Sequence, residues 1–253
     1  MDKLAQSNGD YGFAQELPIL GLIGGMAPES TAIYYRAITA AVSAHLGEHE
    51  APELLLHSLN FGALYRSVSS GDSQSAIETI SKAALGLTTL GAGLLAICSN
   101  TGHLAASLIA TKTSVPLVHI GDAIAQEIRA SCSTTALLLG TSAMASAHYI
   151  SARLEDRGIV VSFPAQATQE QLDAIIFGEL AKGVISDGGV AQITEIVTEA
   201  GRRGTQTIVL ACTELSLVAD KLSMQTHIVD STQAHVRAIV AALLAHTGEP
   251  IHA

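Results

Sequence analysis

The sequence has few of the residues that characterise secreted, membrane-spanning or nucleic-acid-coating proteins. Only three of its 253 residues are cysteine, too few for a disulfide framework, which favours a reducing, intracellular setting. Charged residues make up only 14% and hydrophobic residues 48%, which excludes a disordered chain or one that coats nucleic acid. No apolar run approaches the ~20 residues that cross a bilayer, and the first ten residues lack the pattern of a secretory signal. We therefore expect a cytoplasmic protein with neither membrane nor nucleic-acid partners.

The formal net charge of -10 would repel a polyanionic partner. It does not exclude a small acidic ligand, because the N-terminus of a helix can bind a carboxylate locally. The length allows one large domain or two of ordinary size.

Short apolar runs alternate with longer alanine-rich segments of helical spacing. The runs predict strands at residues 19–23, 54–59, 94–97, 117–120, 136–139, 159–162, 208–211 and 228–229. The segments between them predict helices at residues 30–44, 75–90, 103–112, 123–130, 145–157, 169–182, 189–202 and 233–246. This alternation predicts an α/β protein with parallel sheets covered by helices on both faces. Residues 1–16 lack such patterning and are expected to form a loose extension.

Two segments in different halves of the chain read almost alike. Residues 94–101 (LLAICSNT) and 207–214 (TIVLACTE) are apolar runs that end in a cysteine followed by small hydroxyl or amide residues. Each pattern predicts a thiol where a buried strand ends and a helix can begin. Two thiols that face each other across a cleft could serve as an acid and base pair on opposite faces of one carbon. Cys132 lacks a preceding strand and is expected to be incidental.

Other predicted strands also end in residues suited to ligand binding. Gly24 and Gly25 follow the first strand, Asn60 follows the second, and Thr141 and Ser142 follow the fifth. Ligands of parallel sheets bind beyond the carboxyl ends of the strands, so we expect these corners to share one site. Neither a dinucleotide fingerprint nor a P-loop is present at the glycine pair.

Four motifs together resemble the aspartate/glutamate racemase superfamily, most closely its aspartate racemase and broad-specificity amino-acid racemase branch. They are residues 24–31 (GGMAPEST), 98–103 (CSNTGH), 175–180 (IIFGEL) and 212–214 (CTE). The resemblance implies two pseudo-symmetric α/β domains with the active site in the cleft between them, no cofactor and a homodimer. It implies a first domain of residues 17–115 plus 227–253 and a second of residues 116–226, with the C-terminal helix packed on the first.

The resemblance also implies roles for individual residues. Cys98 and Cys212 would be the catalytic pair of a racemase that moves the α-proton of an amino acid without pyridoxal phosphate. The expected substrate-binding residues lie at the strand ends: Met26, Asn60, Ser99, Asn100, Thr101, Thr141, Ser142, Thr213 and Glu214. An aspartate-specific member would present a cation after the second strand and another before Gly183. Arg66 follows the second strand only later, and Lys182 is one residue out of register, so a broader preference stays open.

Other interpretations of the same residues remain open. The hydroxyl and amide residues could cap helices without touching a ligand. Cys98, His103 and Cys212 could in principle ligate zinc, although no motif typical of a metal site accompanies them, and we expect no metal. A cysteine-dependent amidase or decarboxylase on the same fold, or an amino-acid-binding protein without catalysis, are the alternative functions.

Overall fold

A computed structural model describes residues 17–222 and 226–245. The expected N-terminal extension, residues 1–16, and the last residue of the expected C-terminal helix lie outside the described residues.

Eight strands in the described ranges form two separate parallel sheets. They are β1 (Leu20–Gly24), β2 (Leu54–Ser58), β3 (Leu94–Ile97), β4 (Leu117–Val118), β5 (Thr135–Leu139), β6 (Val160–Ser162), β7 (Thr207–Leu210) and β8 (His227–Asp230). The first sheet has the order β2-β1-β3-β4 and the second β6-β5-β7-β8. The two sheets therefore repeat one topology, which confirms the predicted α/β class with two similar parallel sheets.

Helices connect the strands throughout. They are α1 (Pro28–Leu46), α2 (Phe61–Ser69), α3 (Ser73–Thr89), α4 (Ala106–Lys112), α5 (Ile120–Ala130), α6 (Ser142–Ala147), α7 (Tyr149–Glu155), α8 (Gln166–Gly178), α9 (Asp187–Arg202) and α10 (Ser231–Leu244). Shorter 3-10 helices occupy Thr101–Ala105, Leu180–Lys182 and Thr213–Lys221. Within the described residues, no helix is long and apolar enough to span a membrane.

The structure departs from the predicted elements in several places. Helix α2 was not predicted, although Asn60 caps it by accepting from the N–H of Ala63 at 3.2 Å. The single helix predicted for residues 145–157 is divided, because His148 takes a left-handed conformation between α6 and α7. The strand predicted for residues 117–120 ends at Val118, because the His119 side chain caps α5.

The central strands β1, β3 and β7 are buried on both faces, which explains why they read as continuous apolar runs, whereas the edge strands β2 and β6 are partly exposed. Leu20 and Leu22 of β1 pack with α1 and α10 on one face, whereas Ile23 packs with α3 and α4 on the other. In the second sheet, Leu138 faces α5 and α7, and Leu139 faces α8 and α9. Alternate side chains along a strand therefore pack against the helices on opposite faces of the sheet.

Each sheet is covered in part by a helix that follows the last strand of the other sheet. Helix α5 leaves β4 of the first sheet and packs in the core of the second, and α10 leaves β8 of the second sheet and packs in the core of the first. The expected boundary at residue 116 assigned β4 to the second domain, yet β4 pairs with β3. The boundary at residue 227 assigned β8 to the first domain, yet β8 pairs with β7.

The strand order also fixes where a ligand can bind. In each sheet, the second strand of the chain pairs on one side of the first strand and the third strand pairs on the other side. The strand order therefore reverses between β1 and β3 in the first sheet, and between β5 and β7 in the second. Crevices form at the carboxyl ends of strands at such reversal points. Cys98 follows β3 and Cys212 comes shortly after β7, so the thiols occupy equivalent positions in the two sheets.

Candidate active site

Cys98 lies fully buried at the carboxyl end of the first sheet. Its backbone N–H donates to the carbonyl oxygen of Ile23 at 2.9 Å, which ties this corner to the end of β1. Its side chain belongs to an apolar cluster that contains Tyr34. Burial raises the pKa of the Cys98 thiol, because desolvation disfavours the thiolate. Cys98 is therefore a neutral thiol in this arrangement.

The turn after Cys98 presents polar groups from a short 3-10 helix. The Ser99 hydroxyl accepts from the N–H of Gly102 at 3.2 Å. The side-chain amide of Asn100 donates to the Ser231 hydroxyl at 3.1 Å, which links this turn to the start of α10. The Oδ1 atom of Asn100 is buried and has no hydrogen-bond partner among the described residues. An unused buried acceptor therefore lies two residues from the thiol.

Cys212 has a more polar environment than Cys98. Its Sγ atom donates to Oε2 of Glu214 at 2.9 Å. Burial raises the pKa of Cys212, the negative charge of Glu214 raises it further, and the charge of Asp173 acts in the same direction. The hydrogen bond gives the Cys212 proton a carboxylate that can accept it.

Thr213 joins the Cys212 corner to the first half of the chain. Its hydroxyl donates to Oε2 of Glu214 at 2.9 Å and accepts from the Ser30 hydroxyl at 2.8 Å. Ser30 lies in the first turn of α1, directly after the loop that leaves β1. The carboxyl ends of the two sheets are thus bridged by a buried hydrogen bond between hydroxyl groups.

The loop after β1 lies against the Cys98 corner. Gly25 has a φ of +83°, and a Cβ atom there would lie 2.2 Å from the carbonyl oxygen of Leu59, so only glycine fits this close approach of two backbones. The Met26 side chain lies over Gly102. A Cβ atom added to Gly102 would lie 3.2 Å from Sδ of Met26. Met26 therefore lies beside the turn that follows Cys98.

The corner after β5 is organised around Asp173 of α8. The Ser142 backbone N–H donates to Oδ1 of Asp173 at 3.0 Å, and the Thr141 hydroxyl accepts from the N–H of Met144 at 3.3 Å. Thr141 thus caps α6, while Ser142 is exposed. Because Asp173 acts electrostatically on Cys212, this corner borders the second thiol.

Asn60 lies on the exposed rim of the first sheet, where it caps α2. A Cβ atom on Gly62 would lie 3.4 Å from both Oδ1 of Asn60 and Nη1 of Arg66. The Arg66 guanidinium therefore turns back along α2 toward the corner that follows β2. Lys182 is exposed at the end of a 3-10 helix.

A cluster of buried histidines lies near the Cys98 corner. His103 donates from Nδ1 to the Ser99 carbonyl at 2.8 Å and accepts at Nε2 from the N–H of Ile120 at 3.2 Å. Burial lowers the pKa of His103 to about 4, so the ring is neutral. Its ring stacks edge-on against His119 and His235, with centroids 4.7 and 5.3 Å away. Both nitrogens of His103 are used internally, which assigns it a structural role.

The zinc alternative lacks support in this geometry. Neither nitrogen of His103 is free to ligate a metal, since each already forms a hydrogen bond. Across residues 17–222 and 226–245, no three His, Cys, Asp or Glu side chains gather in a way that could hold a metal ion.

The sequence did not point to three residues at this cleft, namely Ser30, Asp173 and Tyr149. Ser30 follows Pro28 at the start of α1, a position that could have drawn attention to it. Asp173 and Tyr149 lie on helices, away from any strand end. The Tyr149 hydroxyl is buried without a hydrogen-bond partner among the described residues, and it lies near Thr101 and Cys212. No local pattern marks either residue.

Comparisons with known proteins agree with this architecture. A model of the Asp/Glu/hydantoin racemase family matches residues 23–239. The chain is 33% identical to a candidate Asp/Glu racemase from Yersinia pestis, with a TM-score of 0.83 over 91% of this chain and 100% of that one. It is 31% identical to an aspartate racemase homologue from Pyrococcus horikoshii OT3, with a TM-score of 0.75 over 88% and 98%.

A more distant match extends the comparison of folds. Glutamate racemase from Francisella tularensis in complex with D-glutamate is 12% identical, and its TM-score of 0.63 over 94% of this chain and 85% of that one shows a shared fold. The resemblance inferred from the four sequence motifs is confirmed, and the chain belongs to the Asp/Glu/hydantoin racemase family.

Proposed function

We propose that this protein is a cofactor-independent amino-acid racemase that uses Cys98 and Cys212 as its two acid and base groups. Aspartate and glutamate are the first substrates to test, and a wider range of amino acids is the alternative. The family and the fold support a racemase-like function in general. The thiol pair, the substrate and the independence from a cofactor are the proposal.

The observation that carries this proposal is the equivalence of the two thiols. Each follows the third strand of a sheet with the same strand order, beside the reversal point where ligands bind. Two hydrogen bonds link the residues beside the thiols to the other half of the chain. Thr213, next to Cys212, accepts from Ser30, and Asn100, two residues after Cys98, donates to Ser231. Inverting a carbon needs one group on each of its faces, and two equivalent corners supply that arrangement.

The chemistry conserves protons within the pair. One cysteine, as thiolate, removes the α-proton, and the other, as thiol, gives its proton to the opposite face of the planar carbanion. The pair then holds the same number of protons with the roles exchanged. Cys212 must lose its own proton before it can remove the α-proton. Glu214, which accepts the hydrogen bond from Cys212, is the base that takes that proton.

The unused acceptor on Asn100 supports an amino acid as ligand. Oδ1 of Asn100 is buried without a partner in the described part of the chain, and an ammonium group would satisfy it. The Thr101 hydroxyl lies at the Cys98 corner and can donate to a carboxylate, whereas the Thr213 hydroxyl already donates to Glu214. A donor to the carboxylate stabilises the negative charge that the carboxylate gains as the α-proton leaves.

The position of Arg66 supports an acidic side chain on the substrate. Its guanidinium lies on the same side of Gly62 as the Asn60 amide, at the corner after β2. A guanidinium recognises a carboxylate well, because its N–H groups match the geometry of the two oxygens. Lys182 is the other nearby candidate, in the segment that follows α8.

Solvent isotope exchange tests the proposal directly. The purified protein is incubated in heavy water, without added cofactor, with single L-amino acids that include aspartate, glutamate, alanine and serine. We expect deuterium at the α-carbon and formation of the D-enantiomer. A 5-substituted hydantoin is included because the family name covers hydantoin racemases.

The other outcomes separate the alternative functions. Loss of carbon dioxide would indicate a decarboxylase, release of ammonia from added asparagine or glutamine would indicate an amidase, and binding without exchange would indicate an amino-acid-binding protein. Activity that depends on added pyridoxal phosphate would contradict the cofactor-free mechanism. The homodimer, the cytoplasmic location and the absence of nucleic-acid and membrane partners remain predictions.

A further inference from the structure

Tyr149 has a buried hydroxyl that forms no hydrogen bond within the described part of the chain. Among the described residues, three buried side-chain polar atoms lack a partner: Ser81 Oγ, Asn100 Oδ1 and Tyr149 OH. Two of the three belong to residues at the candidate active site. Buried polar groups are nearly always paired, since leaving one unpaired is costly, so two such groups at one cleft indicate a missing polar ligand.

The hydroxyl lies close to residues of both thiol corners. Tyr149 begins α7, which contacts the 3-10 helix that starts at Thr101. Burial raises the pKa of Tyr149, a polar contact with the Thr101 side chain opposes the rise, and the charge of a Cys212 thiolate adds to it. The contact with Thr101 does not meet the geometry of a hydrogen bond, so the phenol keeps its hydrogen-bonding capacity for a ligand. Thr101 follows Cys98 by three residues, so groups from both corners act on the phenol. The phenol also remains protonated, and thus a donor, over the physiological range.

The position of Tyr149 is fixed by contacts that do not involve its hydroxyl. Its ring packs against the apolar cluster between the second sheet and α5. On the same helix, Arg153 donates to both carboxylate oxygens of Asp122 at 2.8 and 2.6 Å, and Arg157, two residues beyond the helix end, also pairs with Asp122. These ion pairs hold α7 against α5. The helix that carries the hydroxyl is therefore supported by other contacts, and the hydroxyl is not needed to hold it.

The chemistry of the two unpaired groups matches the two ends of an amino acid. Asn100 Oδ1 can only accept a hydrogen bond, and its complement is the ammonium group. A protonated phenol donates, and an ammonium group has no lone pair to receive that donation. The acceptor in an amino acid is a carboxylate oxygen. The α-carboxylate is attached directly to the carbon that both thiols must reach, so it falls within the same space.

We propose that the Tyr149 hydroxyl donates a hydrogen bond to the α-carboxylate of the bound amino acid. This inference rests on the proposed racemase function and adds a substrate-binding residue to it. The α-carboxylate gains negative charge as the α-proton leaves, so the hydrogen bond strengthens on the way to the carbanion. Tyr149 then contributes to turnover as well as to binding.

The test is Tyr149→Phe, with Tyr35→Phe as the matched control. Tyr35 lies exposed on α1, so the control removes a hydroxyl from the surface. Deuterium exchange is measured for the amino acids that the wild-type protein turns over, together with the melting temperature of the free protein. For Tyr149→Phe we expect kcat/KM to fall about tenfold or more, with a lower kcat, and the control to match the wild type.

The melting temperature separates a ligand contact from a structural one. Since the hydroxyl is unpaired in the free protein, its removal should leave the melting temperature unchanged or raise it. A kcat/KM within twofold of the wild type would overturn the inference. So would a fall of several degrees in the melting temperature, because it would show that the hydroxyl has a partner within the protein.

The same experiment distinguishes this inference from the function on which it rests. If the wild-type protein exchanges the α-proton of no amino acid, the proposed function fails and the inference fails with it. If the wild type is active and Tyr149→Phe is equally active, only the role of Tyr149 is overturned.

Discussion

The Cys212 thiol hydrogen bonds to the Glu214 carboxylate at 2.9 Å, whereas the Cys98 thiol lies in an apolar cluster with Tyr34. Burial alone raises the pKa of Cys98, while charge adds to burial at Cys212. The two corners are equivalent in topology and differ in electrostatics. The candidate proton-transfer groups are therefore unlike each other before any substrate binds.

Glu214→Gln should lower the pKa of Cys212. The carboxylate disfavours a neighbouring thiolate, so removing its charge makes ionisation of the thiol easier. The measurement is the pH dependence of iodoacetamide alkylation in a background with Cys98→Ser and Cys132→Ser. Asp173→Asn is the control and should give a smaller shift in the same direction, because Asp173 acts more weakly on Cys212. A midpoint at the same or a higher pH in Glu214→Gln would contradict this account.

The same substitution in the otherwise native protein should slow racemisation. Glutamine can accept the hydrogen bond from Cys212 but cannot take its proton, so a general-base contribution of about a hundredfold is lost from kcat/KM. The readout is the rate of deuterium exchange at the α-carbon. A rate unchanged from the wild type would show that Glu214 does not act as that base.

Either Cys98→Ser or Cys212→Ser should abolish racemisation, with a fall of about 10²–10⁴-fold in rate. Serine is a much weaker acid than cysteine, so no proton can be transferred at a face of the α-carbon that has lost its thiol. Circular dichroism of the amino-acid product measures the inversion. Cys132→Ser is the matched control, since Cys132 is exposed and lies far along the chain from both thiol corners. An enzyme that keeps most of its activity after loss of Cys212 would instead fit a single-nucleophile amidase.

Gly25→Ala should destabilise the fold much more than Gly71→Ala. Both glycines have a φ of +83°, so both substitutions place an L-residue in a left-handed conformation at about 1–2 kcal/mol. At Gly71 nothing lies within 4 Å of the added Cβ, whereas at Gly25 the Leu59 carbonyl lies 2.2 Å away. Urea unfolding should show about 2 kcal/mol or more of additional loss for Gly25→Ala. Equal losses would mean that the two backbones do not approach closely.

The protein should lose stability as the pH falls from 7.5 to 5.0. Burial lowers the pKa of His103 to about 4 and of His119 to about 2, and it also lowers the pKa of His235. Below about pH 6.5 the unfolded chain therefore binds protons that the folded chain does not, at up to about 1.4 kcal/mol per pH unit for each histidine. Urea unfolding at several pH values measures this slope. A flat profile in the wild type would show that the buried rings titrate normally.

The parts of the site that could be predicted from sequence are those that follow strands. An apolar run that ends in cysteine marks both the strand and the side chain at its end, which is why the Cys98 and Cys212 corners could be located. Helix boundaries were less certain because capping decides them. The His119 cap starts α5 within a predicted strand, and a left-handed His148 divides one predicted helix into two.

The groups that could not be predicted act across the chain. Ser30 and Thr213 are 183 positions apart in sequence, and nothing near either residue indicates that their hydroxyls meet. Tyr149 lies in an ordinary helix, and only the buried, unpaired state of its hydroxyl distinguishes it. Such relationships depend on how two sheets face each other, which strand and helix periodicity does not encode.

The reciprocal packing of α5 and α10 has a consequence for how the molecule can be divided. A fragment that ends after β4 would keep α1 but would lack α10, which also packs against Leu20 and Leu22. The complementary fragment would keep α5 on its own sheet, but the apolar face of α10, which includes Ile239 and Leu243, would have no sheet to pack against. Apolar surface exposed in this way is a known liability for aggregation, so we expect neither fragment to behave as an independent folding unit.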